Sequence, residues 1–107
     1  MSTADQLRHW ACGLLPLEAA VELLIASANG RLLAGPWIRQ DAYSTWFDPD
    51  TAAAERGHLS GGERRALGIA TSLTSSAHPV DLSDAITGLD DINLDLVLRA
   101  LAHAGGR

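Results

Sequence analysis

The sequence predicts an all-α fold: a small bundle of four or five helices around one Leu/Ala core, with an irregular aromatic-rich segment in its middle. Three observations carry that prediction. The hydrophobic fraction is 47%, but only three Trp, one Tyr and one Phe contribute to it, so most of it is Leu and Ala, which lose least on entering a helix. Apolar residues recur at three- and four-residue spacing in several windows. No internal repeat, low-complexity segment or strong strand interrupts them. With 107 residues, the chain is read as a single domain with one small core, leaving much apolar surface exposed as a monomer.

The elements follow in order. Leu7, Trp10, Ala11, Leu14 and Leu15 mark the face of a first helix, with Ser2 or Thr3 as its cap and Gly13 and Pro16 disturbing its end. Pro16 suits the first turn of a second helix, whose stripe is Leu17, Ala20, Val21, Leu24, Ile25 and Ala28. Asn29-Gly30 stops it, because both residues tolerate the left-handed conformation. The N-terminal helical hairpin thus spans 3–29. The connection 30–58 carries the turn signals Gly35-Pro36 and Asp48-Pro49, four of the five aromatics, and a short helix near 50–56. Ser60 and Glu63 form a capping box, S-x-x-E, that opens a third long helix. A tri-helical unit is expected over 60–105: that helix, a short one over 82–87, and a last one over about 91–103. Leu94, Val97, Leu98 and Leu101 are its expected buried positions, and Gly105-Gly106 ends it.

Charge and residue choice exclude several chemistries. The net charge is −5. All eight basic residues are Arg, so there is no Lys for a Schiff base or a phosphate-binding loop. An acidic chain is repelled by nucleic-acid backbones unless its Arg residues cluster. Cys12 is the sole cysteine, which excludes an intramolecular disulfide and a four-Cys zinc site. "MSTADQLRHWACG" has no basic region leading into an apolar run, and no apolar stretch reaches membrane-spanning length. The expectation is a cytoplasmic protein with no membrane association.

"LSGGERRALGIATSL" at 59–73, followed by "VDLSDAITGLD", resembles the signature region of ABC ATPases. That resemblance implies a magnesium-site strand after the helix. Here Asp81 breaks the apolar run, Ser83 stands at the metal-binding position, and only Asp84 could orient water. The phosphate-cradling G-x-x-x-x-G-K-[ST] loop is absent. The same residues read more simply as a capped helix start.

Residues 63–105 resemble the tri-helical helix-turn-helix core of winged-helix regulators. Ala85, Thr87, Gly88 and Leu89 match the turn, and Leu94, Val97, Leu98 and Leu101 the recognition helix. The resemblance implies a DNA-binding transcription regulator, with Arg64, Arg65 and Arg99 as phosphate contacts. The departure is electrostatic: Asp90, Asp91 and Asp95 occupy the start of the recognition helix, where base and phosphate contacts need donors. No wing follows within the sequence.

Other sites are weaker. His9 and Cys12 are three residues apart on one helix, but further metal ligands would have to come from His58, His78 or His103, far along the chain. No strand-to-helix nucleophile elbow is present. No catalytic residue, metal or cofactor is expected. The aromatic segment "PWIRQDAYSTWF" is the best candidate surface, because Trp, Tyr and Arg dominate binding hot spots. Trp37, Tyr43, Trp46 and Phe47 are the expected anchors, with Arg39 as a polar contact. "HWACGLLPLEAAVELL" and "LDLVLRALAHAGG", with the Arg-only, Ala-rich composition, are similar to short proteins of actinobacteria and their phages. That likeness implies an accessory or host-directed role. The function expected is non-enzymatic binding of a protein partner, with homodimerisation as one mode.

Overall fold

The computed structural model describes residues 1–107, except for the side chain of His58. Among the described residues, six α-helices and one two-stranded antiparallel sheet follow in the order α1 Thr3–Ala11, α2 Leu15–Ala26, β1 Ile38–Gln40, β2 Thr45–Phe47, α3 Pro49–Glu55, α4 Gly61–Thr74, α5 Leu82–Thr87 and α6 Asp91–Ala104. Tighter 3-10 turns fill Ser27–Ala34 and Arg56–His58.

The helix starts are set by short polar side chains. Ser2 caps α1 by accepting from the Asp5 amide at 3.1 Å. Asp48, Asp81 and Asp90 do the same for α3, α5 and α6. Pro16 lies in the first turn of α2, where its missing N–H is no loss. Each such cap stabilises a helix by about 1 kcal/mol.

α2 lies at the centre, packed against α1, α4 and α6. The main core joins Leu23 and Leu24 of α2 to Leu32, Trp37, Phe47, Leu67 and Val97. A smaller cluster of Leu7, Ala11 and Val21 seals α1 onto α2. Burial of each large apolar side chain contributes about 1.5–3 kcal/mol. Of the buried hydroxyls among the described residues, those of Ser27 and Thr71 donate to the carbonyls of Leu23 and Leu67 at 2.6 and 2.7 Å. Among the described residues, no buried side-chain N or O atom lacks a partner.

Four expectations change. First, the fold is not strictly all-α. The aromatic-rich segment folds into a hairpin, with Ile38 opposite Phe47, Arg39 opposite Trp46 and Gln40 opposite Thr45. Each strand has three residues, too few for alternation to stand out in the sequence. The turn is set by Asp41, whose carboxylate accepts from the amides of Tyr43 and Ser44, both at 2.8 Å.

Second, the aromatics do not form one cluster. Successive strand side chains point to opposite sides, so the hairpin divides its rings between core and surface.

Third, α6 buries less of its stripe than its period suggests. Val97 is buried, whereas Leu98 and Leu101 are 54% and 38% exposed. Ala100 is buried instead, and Leu96, outside the expected stripe, packs against the core.

α2 also stops at Ala26, before Asn29-Gly30. Ala28, Asn29 and Gly30 then take φ of 51°, 56° and 83°. This left-handed run turns the chain toward Leu32 and the hairpin.

Candidate functional site

The hairpin has an inner and an outer side. Ile38 and Phe47 point inward, and Phe47 is 1% exposed. Trp37, just before β1, is 3% exposed, and its indole N–H donates to the Leu32 carbonyl at 2.7 Å. A Cβ at Gly35 would overlap the Trp37 ring, so glycine is what lets the indole lie against this backbone. Thr45 is buried as well, and its hydroxyl donates to the Gln6 amide oxygen at 2.8 Å, tying β2 to α1.

The outer side carries the remaining predicted residues. Arg39 is exposed, and Trp46, directly across the strands, is half-buried. Tyr43, in the turn, is 97% exposed. Beside it lies a shallow cleft of about 220 Å³ between the turn and α1, lined by His9, Trp10, Gln40 and Tyr43 among others. The five predicted partner contacts therefore separate. Arg39, Tyr43 and Trp46 stand at the surface, and Trp37 and Phe47 lie beneath them in the core. Trp10, outside the quoted aromatic segment, lines the cleft beside Tyr43 from α1 and packs against the core, whereas Arg39 and Trp46 do not line it.

The electrostatics fix this geometry. Amide hydrogen bonds from Tyr43, then Ser44, hold the Asp41 carboxyl below its usual range. Asp48 is lowered first by the Thr51 hydroxyl, which donates at 2.9 Å, with Arg39 adding a Coulombic pull. Carboxylates on both flanks of the hairpin are therefore committed to shaping the chain.

The predicted phosphate contacts also separate. Arg64 and Arg65 line one cleft with Arg56, which sequence reasoning did not include. No motif in the sequence signals it; the Arg56 guanidinium lies beside Gly68 of α4. Arg99 lies in a different groove between α2 and α6, paired with Asp95 at 2.8 Å.

Ser60 and Glu63 form the reciprocal capping box, each amide hydrogen-bonded to the other's side chain at 3.3 Å. Hydrogen bonds from Ser60, led by its side chain, hold the Glu63 carboxyl below its usual range.

The histidines are dispersed. His78 pairs with Asp50 and His103 with Glu18, each at 2.7 Å. His9 and Cys12 are exposed. The side chain of His58, the other candidate ligand in the sequence, lies outside the described residues. Among the described residues, no three His, Cys, Asp or Glu side chains gather closely enough to hold a metal ion. No helix among them is long and apolar enough to cross a membrane.

No protein-family model matches the chain, and neither does any curated protein or solved structure.

Proposed function

We propose that this protein is a non-enzymatic binding module that recognises a protein partner through the outer side of its hairpin. The observation that carries the reading is Tyr43. It projects almost fully exposed from a turn whose strands are anchored to the core through Phe47 and Thr45. A large amphipathic ring held on a rigid support loses little entropy on binding, which is why Tyr and Trp recur at hot spots. Tyr43 and Trp46 act as the anchors and Arg39 as the charged contact. Trp37 and Phe47 hold the hairpin in place from below.

This reading is preferred to a DNA-binding regulator on electrostatic grounds. Asp90 and Asp91 occupy the N-terminal end of α6, where a recognition helix would present donors to the groove. Arg99, meanwhile, is apart from Arg64 and Arg65.

The test is retention of a partner from host lysate by wild-type protein, by Tyr43→Ala and by Trp46→Ala, each checked for folding by circular dichroism. Loss of the same partner in both folded variants supports the reading. Undiminished retention by both overturns it.

A further inference from the structure

We propose that the cleft formed by Arg56, the first half of α4 and residues 79–85 binds a small phosphate-bearing molecule, held by Arg56, Arg64 and Arg65. The cleft has a volume of about 470 Å³. That lies within the range of about 300–1,000 Å³ typical of small-ligand sites and exceeds what a bare phosphate needs.

The reasoning starts from an imbalance of charge. The chain has 13 acidic residues against eight arginines, so two arginines without a carboxylate partner in one cleft are a local departure from its overall acidity. Arg8, Arg31, Arg65 and Arg99 are each near a carboxylate. Among the described residues, no ion pair engages the other four, Arg39, Arg56, Arg64 and Arg107, and two of these, Arg56 and Arg64, line this one cleft beside Arg65. Arg64 donates instead to two backbone carbonyls, those of Gly57 at 3.3 Å and Leu59 at 3.4 Å. Those bonds orient the guanidinium without neutralising it. Arg65 donates through Nε to the Asp84 carbonyl at 3.3 Å, and its Nη2 is 3.9 Å from the Asp84 carboxylate. Arg56 lies along α4 over Gly68, with Nη1 3.5 Å from where a Cβ would stand. A longer side chain at 68 would fill the space that the guanidinium now borders.

Two carboxylates share the cleft, Asp81 and Asp84. Asp81 accepts from the Asp84 amide to cap α5, at 3.3 Å, and Asp84 faces Arg65. Three guanidinium groups against two carboxylates leave a positive surplus in a chain of net charge −5.

Guanidinium is always charged, and its planar fork matches phosphate oxygens. Pro79, Val80 and Ala85 add apolar wall, suited to the uncharged body of an ester. The two aspartates, and the acidity of the whole chain, favour a small free anion over a polyanion such as duplex DNA.

The experiment uses the full chain. Inorganic pyrophosphate, phenyl phosphate and a 20-base-pair duplex are titrated separately at constant ionic strength set with sodium chloride. Binding is read by calorimetry and by the rise in Tm. The expected result is saturable binding of pyrophosphate and phenyl phosphate. It weakens at least about tenfold in Arg56→Gln and in Arg64→Gln, since each loses a charged hydrogen-bond donor. It is unchanged in Arg99→Gln. All three substituted positions are exposed, so each variant is expected to fold, as its Tm without ligand will show. The proposal is overturned if neither small phosphate binds, if both cleft variants bind as wild type does, if Arg99→Gln weakens binding equally, or if the duplex alone binds.

Discussion

The Trp37 indole donates to the carbonyl of Leu32 at 2.7 Å, across a backbone that leaves no room for a side chain at position 35. One hydrogen bond and one glycine thus fix the ring that supports the hairpin. Gly35→Ala is expected to unseat it and destabilise the fold by about 1–3 kcal/mol, the usual cost of overpacking. Trp37→Phe keeps much of the apolar bulk but removes the indole donor, leaving the Leu32 carbonyl only the Gly35 amide at 3.4 Å, at about 0.5–1.5 kcal/mol for the lost hydrogen bond. Urea denaturation of both variants checks this. A wild-type midpoint for Gly35→Ala would remove the steric argument.

Phe47 and Tyr43 should respond oppositely to truncation. Phe47 is fully buried, so Phe47→Ala is expected to cost about 3–5 kcal/mol. Tyr43 is 97% exposed, so Tyr43→Ala should change stability by no more than about 0.5 kcal/mol. Its effect should be confined to partner binding. Thermal melts of the two variants separate supporting rings from presenting ones.

The left-handed run is open to backbone tests. Ala28 has φ of 51° without being glycine, a conformation that costs an L-residue about 1–2 kcal/mol. Ala28→Val should be destabilising by at least about 1 kcal/mol, because a β-branched side chain suits that region poorly. A melting temperature equal to wild type would show that the chain takes another path between α2 and Leu32.

Acid should weaken the fold through four carboxylates. Glu18 is lowered chiefly by the Gly13 amide, which donates at 2.8 Å, and then by His103. Asp41, Asp48 and Glu63 are lowered by their own hydrogen bonds. A depressed pKa in the folded state means that the unfolded chain takes up protons first as pH falls. Each contribution is therefore complete above the usual carboxylate pKa, near pH 4, and is lost as pH falls through the lower folded value. Tm should be flat from about pH 7 to 5 and fall from about pH 4 to 2. Glu18→Gln should make that fall shallower. An identical acid slope in Glu18→Gln would show that the Gly13 contact contributes nothing.

Much of the helical architecture was legible because caps and periods are local. Ser60 and Glu63 state a helix start within four residues, and the structure closes that box as read. The short helix Leu82–Thr87 was placed at the same residues. The hairpin was not legible. What holds it is Thr45 bonded to Gln6, 39 positions away, and Phe47 seated among side chains of the central helices. Propensity along the segment does not encode such partners. The exposed Leu98 was missed for a related reason: period identifies a face, and only tertiary packing decides which part of it is covered. The Arg56 cleft is also tertiary, since 56 and 64–65 meet through a turn and a helix with no shared motif.

The link between Glu18 and His103 joins residues 85 positions apart, and it lies where α2 meets α6. Ala19 and Leu23 of α2 border the groove lined by Leu96 and Ala100 of α6. During synthesis, the central helix therefore leaves the ribosome long before the helix that completes its cover. Closing so long a loop is slow compared with forming local turns. In that interval, one apolar side of α2 stays open to water and to chaperones. The central helix therefore reaches its native packing only after α6 has emerged, and α6 closes the core that α2 opens.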